Sequence, residues 1–224
     1  MIEVLVTLGV IAVVMSVMLP TVRSARASAA GAACKANLRE TFVHCAAYAM
    51  EHDGQGPAIG QPYGALPNWA LEVQRRSGVD GDTPGELYLN ASVLVCPVAD
   101  ARYPTDMVRT YAMNGTGHAG AAMGDDTDYD STDPALRAAI RFDLVRHPGR
   151  AVLLVDAAVA NFASNPAPTN RCASVIDFRQ PEHVEQRLGL WHVEDGADAF
   201  NGAMFDGSVQ RYASPPEAWL EPLP

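Results

Sequence analysis

Clustered positive charge is what this sequence lacks first. Lys and Arg number 16 against 26 Asp and Glu, and the net charge is −10. The basic residues are scattered, and the one short cluster is Arg75-Arg76. Phosphate binding needs grouped Lys and Arg, so no nucleic-acid partner is expected. Acidity itself favours solubility and names no partner. Cysteine is scarce as well. Cys34, Cys45, Cys96 and Cys172 include no C-x2-C pair, and their spacings match no zinc pattern. There is no G-x-S-x-G nucleophile turn and no cysteine in a protease signature. "GTGHAGAAMG" is rich in glycine but lacks the spacing of a phosphate loop, and a flexible loop accounts for it. No internal repeat is visible. With these signals missing, no motif points to a particular catalytic chemistry.

One long hydrophobic run is present. Val4 to Leu19 is nearly unbroken apolar sequence running into Pro20, with Glu3 at its edge and Arg23 and Arg26 beyond. A membrane-spanning helix needs about 20 mostly apolar residues, and residues 1–22 supply such a segment. Three readings arise. A cleaved signal peptide is one, since "ARASAA" offers A-x-A-like sites, yet the usual basic start is missing. A plain anchor is another. The charges after the span would then favour a cytoplasmic C-terminus, where cysteines stay reduced.

The third reading rests on a resemblance. Glu3 precedes Pro20 by 17 residues, and "IEVLVTLGVIAVV" lies between them. This N-terminus resembles that of type IV pilins and type II secretion pseudopilins. Those chains carry a short basic leader, a cleaved Gly, a methylated residue, an acid, an apolar run and a proline. The leader and Gly do not precede Glu3 here. The expectation is a start upstream of Met1, a shortened chain or a paralogue that is not processed. The resemblance implies an α+β pilin-like fold, a long N-terminal helix packed on an antiparallel sheet. It implies a single-pass inner-membrane protein with a periplasmic head, cut by prepilin peptidase if a leader exists. Its partners would be copies of itself or other pilin-like subunits, and its work would be to build a filament, without enzymatic activity. The alternative is an exported binding module or enzyme whose first ~25–30 residues are only a signal peptide or membrane tether. The resemblance gives Glu3 the role of neutralising a neighbouring subunit's N-terminal amine and makes Pro20 an aid to packing. Physics alone reads Glu3 as a carboxylate at a helix N-terminus and membrane edge, and Pro20 as a kink that deletes one hydrogen bond.

Beyond Pro20, alanine-rich sequence keeps the helix going to about residue 52. Cys34, Leu38, Phe42, Cys45 and Ala49 recur at three- and four-residue spacing, an apolar stripe that calls for a sheet to lie against. Residues 1–52 therefore read as the helix, 1–22 as its transmembrane or assembly segment and 23–52 as its amphipathic half. Residues 53–224 read as a globular α+β head. Asp53-Gly54 is a stop signal. Residues 54–92 hold no strong strand run, and Trp69 to Arg76 suits a short helix. Strands are expected at "SVLVCPV", "VRTYAMN", "RFDLV", "AVLLVDA" and "CASVIDF", and "NFASNPAPTN" reads as an exposed loop. "AFNGAMFDGSVQRYA" reads as a hairpin turning at Asp206-Gly207.

An even cysteine count permits disulfides. On one helix Cys34 and Cys45 stand roughly 16 Å apart, beyond the ~7 Å a disulfide spans. Each then pairs with Cys96 or Cys172, or stays reduced. The order Cys34/Asn37/Leu38, Cys96-Pro97, Tyr111-Ala112-Met113-Asn114 and His192…Asp206-Gly207 resembles one branch of pilin-like heads. That branch has C-x-x-N-L, a "CP" strand, YxMN and a late His…Asp-Gly motif. The gap after His192 is longer here, as if "EDGAD" were inserted.

Two constellations invite chemistry. Asp126, Asp128 and Asp130 alternate and offer oxygens to calcium, the single candidate cofactor. An EF-hand would need Gly and Glu where Ser131 and Arg137 stand, and a solvated acidic loop is the preferred reading of the run. His192 with Asp195, Asp198 and Asp206 suggests a cluster. Aspartate before glycine is a turn device, so a packing and hairpin role is preferred.

Overall fold

The computed structural model of this chain describes residues 2–81, 83–88, 92–118, 128–159, 161–162, 165–166 and 170–224. Its first element is a single helix, α1, Ile2–Glu51, with Pro20 inside it. Fifty residues at about 1.5 Å each make a rod of roughly 75 Å. The rod stops at Asp53 and Gly54, whose φ angles are 53° and 85°. Glycine takes that left-handed turn without a Cβ clash, and a short polar side chain tolerates it.

The two halves of α1 behave differently. Every described side chain from Val4 to Ala29 is exposed. From Cys34 onward the apolar stripe turns inward: Cys34, Leu38, Cys45 and Ala49 are buried and Phe42 partly so, with Thr41 and Tyr48 beside them. Among the described residues no helix is long and apolar enough to cross a membrane. The side chains of Ile2, Glu3, Leu5, Val6, Leu8, Val10, Ala12 and Val17 lie outside the described set, so the expected span over 1–22 falls partly outside it.

The head follows in the order β1 Gln55–Ala58, α2 Trp69–Arg76, α3 Pro84–Leu87, α4 Pro97–Asp100, β2 Tyr111–Asn114, β3 Ala139–Arg141 and β4 Val152–Asp156. Then come β5 Asn161–Phe162, β6 Asn165–Pro166, β7 Val175–Ile176, α5 Pro181–Arg187, β8 His192–Glu194, β9 Ala197–Met204 and β10 Val209–Tyr212. The main sheet runs β10-β9-β4-β2-β7, with β8 also paired to β9. The second half of α1 covers one face, where Leu38, Tyr111, Met113, Leu154 and Ala203 share a core. Ala112, Val155, Phe200, Met204 and Trp219 pack on the other. A register shift between Val152 and Leu154 lets Leu153 and Leu154 join one core while Val152 and Val155 join the other. The class is α+β, as expected.

Three strand expectations are corrected. The sheet is mixed and not wholly antiparallel, because β7 lies parallel to β2. Parallel neighbours need a long crossover, and the chain between Asn114 and Val175 provides one. "SVLVCPV" forms no strand. Leu94 and Cys96 join the core that α1 covers and Val95 the opposite one, and α4 begins at Pro97, which lacks the N–H a ladder would need. "RFDLV" gives only Arg141 to β3. Phe142–Leu144 coil into a 3-10 turn, and Arg141 pairs with Asp143 at 2.7 Å. In "NFASNPAPTN" the backbone makes a two-residue ladder, β5 with β6, and the side chains there lie outside the described set.

Candidate functional site

The sequence tokens converge where α1 meets the sheet. Cys34 on α1 is disulfide-bonded to Cys96, at the start of α4. One turn further along α1, Asn37 donates from Nδ2 to the Val95 carbonyl at 2.7 Å. Thr41 Oγ1 donates to the Asn37 carbonyl at 2.8 Å. Leu38 lies fully buried between them. C-x-x-N-L is thus a clasp: one covalent bond, one amide bond and one apolar plug fix the 93–97 segment onto the helix. From the sheet, Tyr111 Oη donates to the Cys34 carbonyl at 3.1 Å, and Asn114 Nδ2 donates to the Val152 carbonyl at 2.9 Å. The Cys96 N–H donates to Thr110 Oγ1 at 2.6 Å. Burial, with Asp156 nearby, pushes the Tyr111 phenol well above its ordinary range, so it stays a donor.

His192 completes the cluster. It pairs with Ala199 across β8 and β9, and its ring turns inward. His192 Nε2 lies 3.6 Å from Cys96 Sγ and 3.3 Å from Asp156 Oδ2. Asp156 ends β4 opposite Tyr111 and is wholly buried. Its Oδ2 accepts from the Asn201 N–H at 2.7 Å and from Asn201 Nδ2 at 2.9 Å. Its Oδ1 is buried with no hydrogen-bond partner among the described residues. Cys34, Cys96 and His192 are the one group of His, Cys, Asp or Glu side chains, among the described residues, whose ligating atoms all lie within 4.8 Å of one another. A groove of about 740 Å³ opens beside them, lined by Ala27, Lys35, Arg102, Trp191, His192 and Arg211.

Other expected residues lie elsewhere. Asp206 and Gly207 form the β9–β10 turn, away from His192. The Ser208 N–H donates to Asp206 Oδ1 at 2.9 Å. Gly207 has φ 80°, and a Cβ there would come 3.0 Å from Phe42 of α1. The turn therefore packs its glycine on the helix. Asp195 and Asp198 are exposed, and "EDGAD" spans the β8–β9 hairpin, turning at Asp195 and Gly196 with φ 51° and 82°. Cys45 and Cys172 are free and buried, and burial pushes both thiols up to about 12. They hold no appreciable thiolate at neutral pH. Asp126 lies outside the described residues. Asp128 and Asp130 share a turn in which the Asp130 N–H donates to Asp128 Oδ1 at 2.8 Å, and Tyr63 Oη donates to Asp130. Pro20 is exposed on the free half of α1, and the Glu3 side chain lies outside the described set. Arg75 and Arg76 are taken up by carboxylates, Arg75 with Glu72 at 2.7 Å and Arg76 with Glu51 at 2.5 Å.

Asp156 and Asn201 are the members that sequence reasoning missed. The signal was present in "AVLLVDA": a carboxylate closing an otherwise apolar buried strand must find donors. Comparison with family models, with curated proteins and with solved structures returned no match for this chain.

Proposed function

We propose that this protein is a structural subunit of a type IV pilus-like or type II secretion pseudopilus-like filament, held in the inner membrane before assembly with its head in the periplasm. The observation that carries the proposal is the division of α1. Its second half is consumed by the head, and the described side chains of its apolar first half are all exposed. Val4, Ile11, Val13, Val14, Met15, Met18, Leu19 and Val22 are each at least 45% exposed. Burying what remains exposed is worth on the order of 1 kcal/mol per side chain, so about 8–10 kcal/mol per chain. Soluble monomers rarely leave so large an apolar surface open.

Lipid would store such a rod, and a bundle of identical rods would sheath it. Each copy would offer one side of its rod to the next, and heterologous contacts of that kind propagate as a fibre. Glu3 would then meet a neighbour's N-terminal amine, a buried charge pair that fixes axial register. Pro20 would relax the helix where rods crowd. No chemistry is required of the head beyond presenting a surface.

A photo-crosslinking residue at Val14 or Met18 tests this in native membranes. A ladder of homo-oligomers is expected, and Glu3→Ala is expected to remove the ladder while head folding, read by near-ultraviolet circular dichroism, is unchanged. Crosslinks to lipid alone, or a mature protein cut within "ARASAA", would overturn the filament assignment in favour of a tethered or exported head.

A further inference from the structure

We infer that the Cys34–Cys96 pair, once reduced, forms a four-donor zinc site with His192 and Asp156, so that one junction is closed by a disulfide under oxidising conditions and by a metal ion under reducing ones. The donors are two thiols, an imidazole nitrogen and a carboxylate, a set that suits tetrahedral Zn²⁺. Zinc bonds of about 2.3 Å to sulfur and ~2.0–2.2 Å to nitrogen and oxygen place neighbouring ligands about 3.6 Å apart for S···N and about 3.4 Å apart for N···O. The structure has Cys96 Sγ at 3.6 Å from His192 Nε2, and that nitrogen at 3.3 Å from Asp156 Oδ2. Two edges of the tetrahedron are already built. Asp156 stands outside the group of three whose ligating atoms all lie within 4.8 Å of one another. When the covalent bond is gone, the sulfurs must therefore part to roughly 3.7 Å and close on the carboxylate to complete the remaining edges.

The surroundings fit a cation. Asn201 fixes the carboxylate through two donors, the outer support that a ligating group needs to hold its orientation. Asn201 occupies Oδ2, the oxygen nearer His192, while Oδ1 of the same carboxylate has no hydrogen bond among the described residues, so the buried carboxylate keeps lone pairs to offer a cation. The groove lined by Lys35, Trp191 and Arg211 reaches His192 and gives an ion and a reductant a way in.

The chemistry balances. A dithiol reductant supplies two electrons and two protons, becoming a cyclic disulfide, and Cys34 and Cys96 become thiols. Zn²⁺ then displaces both thiol protons to solvent. The ion's two charges meet two thiolates and one carboxylate, so the closed site carries a single negative charge in place of three. Without the ion, three buried anions would not coexist and the thiols would stay protonated.

The test uses the full-length chain in detergent, with Cys45→Ala and Cys172→Ala removing the other thiols. The protein is reduced with a phosphine under argon and titrated with Co²⁺ alone, then with Zn²⁺. The expected result is one Co²⁺ per chain with thiolate charge-transfer bands and the visible bands of a tetrahedral site, all displaced by Zn²⁺. The oxidised protein should show none of these. His192→Gln should weaken binding at least tenfold. Since that variant risks misfolding, the melting temperature of the reduced parent chain is measured with and without Zn²⁺. A rise on adding Zn²⁺ to reduced protein only is expected. Identical spectra for oxidised and reduced protein, no effect of His192→Gln, or reduced protein that zinc neither binds nor stabilises would each overturn the inference.

Discussion

At the scale of single residues, buried titratable groups set how the head responds to acid. His183 on α5 accepts the Asp177 N–H at Nδ1 over 3.1 Å, and only a neutral ring does that. Burial first, then the neighbouring Arg187, brings its pKa down from 6.5 to about 4, against a smaller upward pull from Asp177. The unfolded chain takes up this proton near pH 6.5 and the folded one resists until about pH 4. Stability from this group is therefore full above pH 6.5, falls between those two values and is gone below. His183→Asn keeps an acceptor for the Asp177 N–H but cannot titrate. Its denaturation midpoint should fall less than that of the parent between pH 6.5 and 4, and parallel curves would show that His183 does not govern the window. None of this was legible beforehand. His183 is a polar letter inside an ordinary stretch, and although Asp156, closing an apolar strand, called for donors, the partners themselves, the Asp177 N–H and the Asn201 amides, are fixed by tertiary packing. What could be read was narrower: Asn37 and Tyr111 stood out by resemblance, and their bonds to the Val95 and Cys34 carbonyls give those letters a mechanical reason.

At the scale of elements, the clasp between α1 and α4 governs whether the rod stays attached to the head. The Cys34–Cys96 disulfide closes a sequence separation of 62 residues. A loop of that length restricts the unfolded chain by about 4 kcal/mol. With a chelator present, so that no metal replaces the bond, Cys34→Ala with Cys96→Ala should lower unfolding stability by about that much in urea. A loss under 1 kcal/mol would mean that Asn37, Thr41 and Leu38 hold the segment alone. Local pattern served well where an element is local. The stripe from Cys34 to Ala49 turned inward, α2 fell on Trp69–Arg76, and Asp206-Gly207 made its hairpin. Pattern failed where burial comes from a distant partner. Leu94, Val95 and Cys96 read as a strand because they are apolar, yet Leu94 and Cys96 are buried in the core that α1 covers and Val95 in the opposite one, outside any strand. The pairing of β2 with β7 is likewise a long-range outcome, and no turn signal announces it.

At the scale of the whole molecule, the chain joins a head with its own core to a helical segment whose described side chains up to Ala29 are exposed. Leu38, Tyr111, Leu154 and Ala203 complete their core without any residue before Cys34. The described contacts of α1 with the head begin near the groove, where Ala27 and Lys35 face Trp191 and Arg211. A chain beginning at Ala27 retains those contacts, the disulfide and the Asn37 clasp, and among the described residues loses only exposed side chains. Such a chain should fold, remain monomeric without detergent and melt within about 4 °C of the full-length protein, since 1 kcal/mol moves a domain of this size by roughly 2–4 °C. The full-length chain should need detergent or lipid to stay dispersed. Light scattering and thermal melts of the two proteins side by side decide the matter. If the shortened chain unfolds, the rod supports the head and its exposed apolar side chains are part of that support. If the full-length chain is monodisperse in plain buffer, the apolar half of α1 finds cover within one molecule, and nothing would then drive it into lipid or into a fibre.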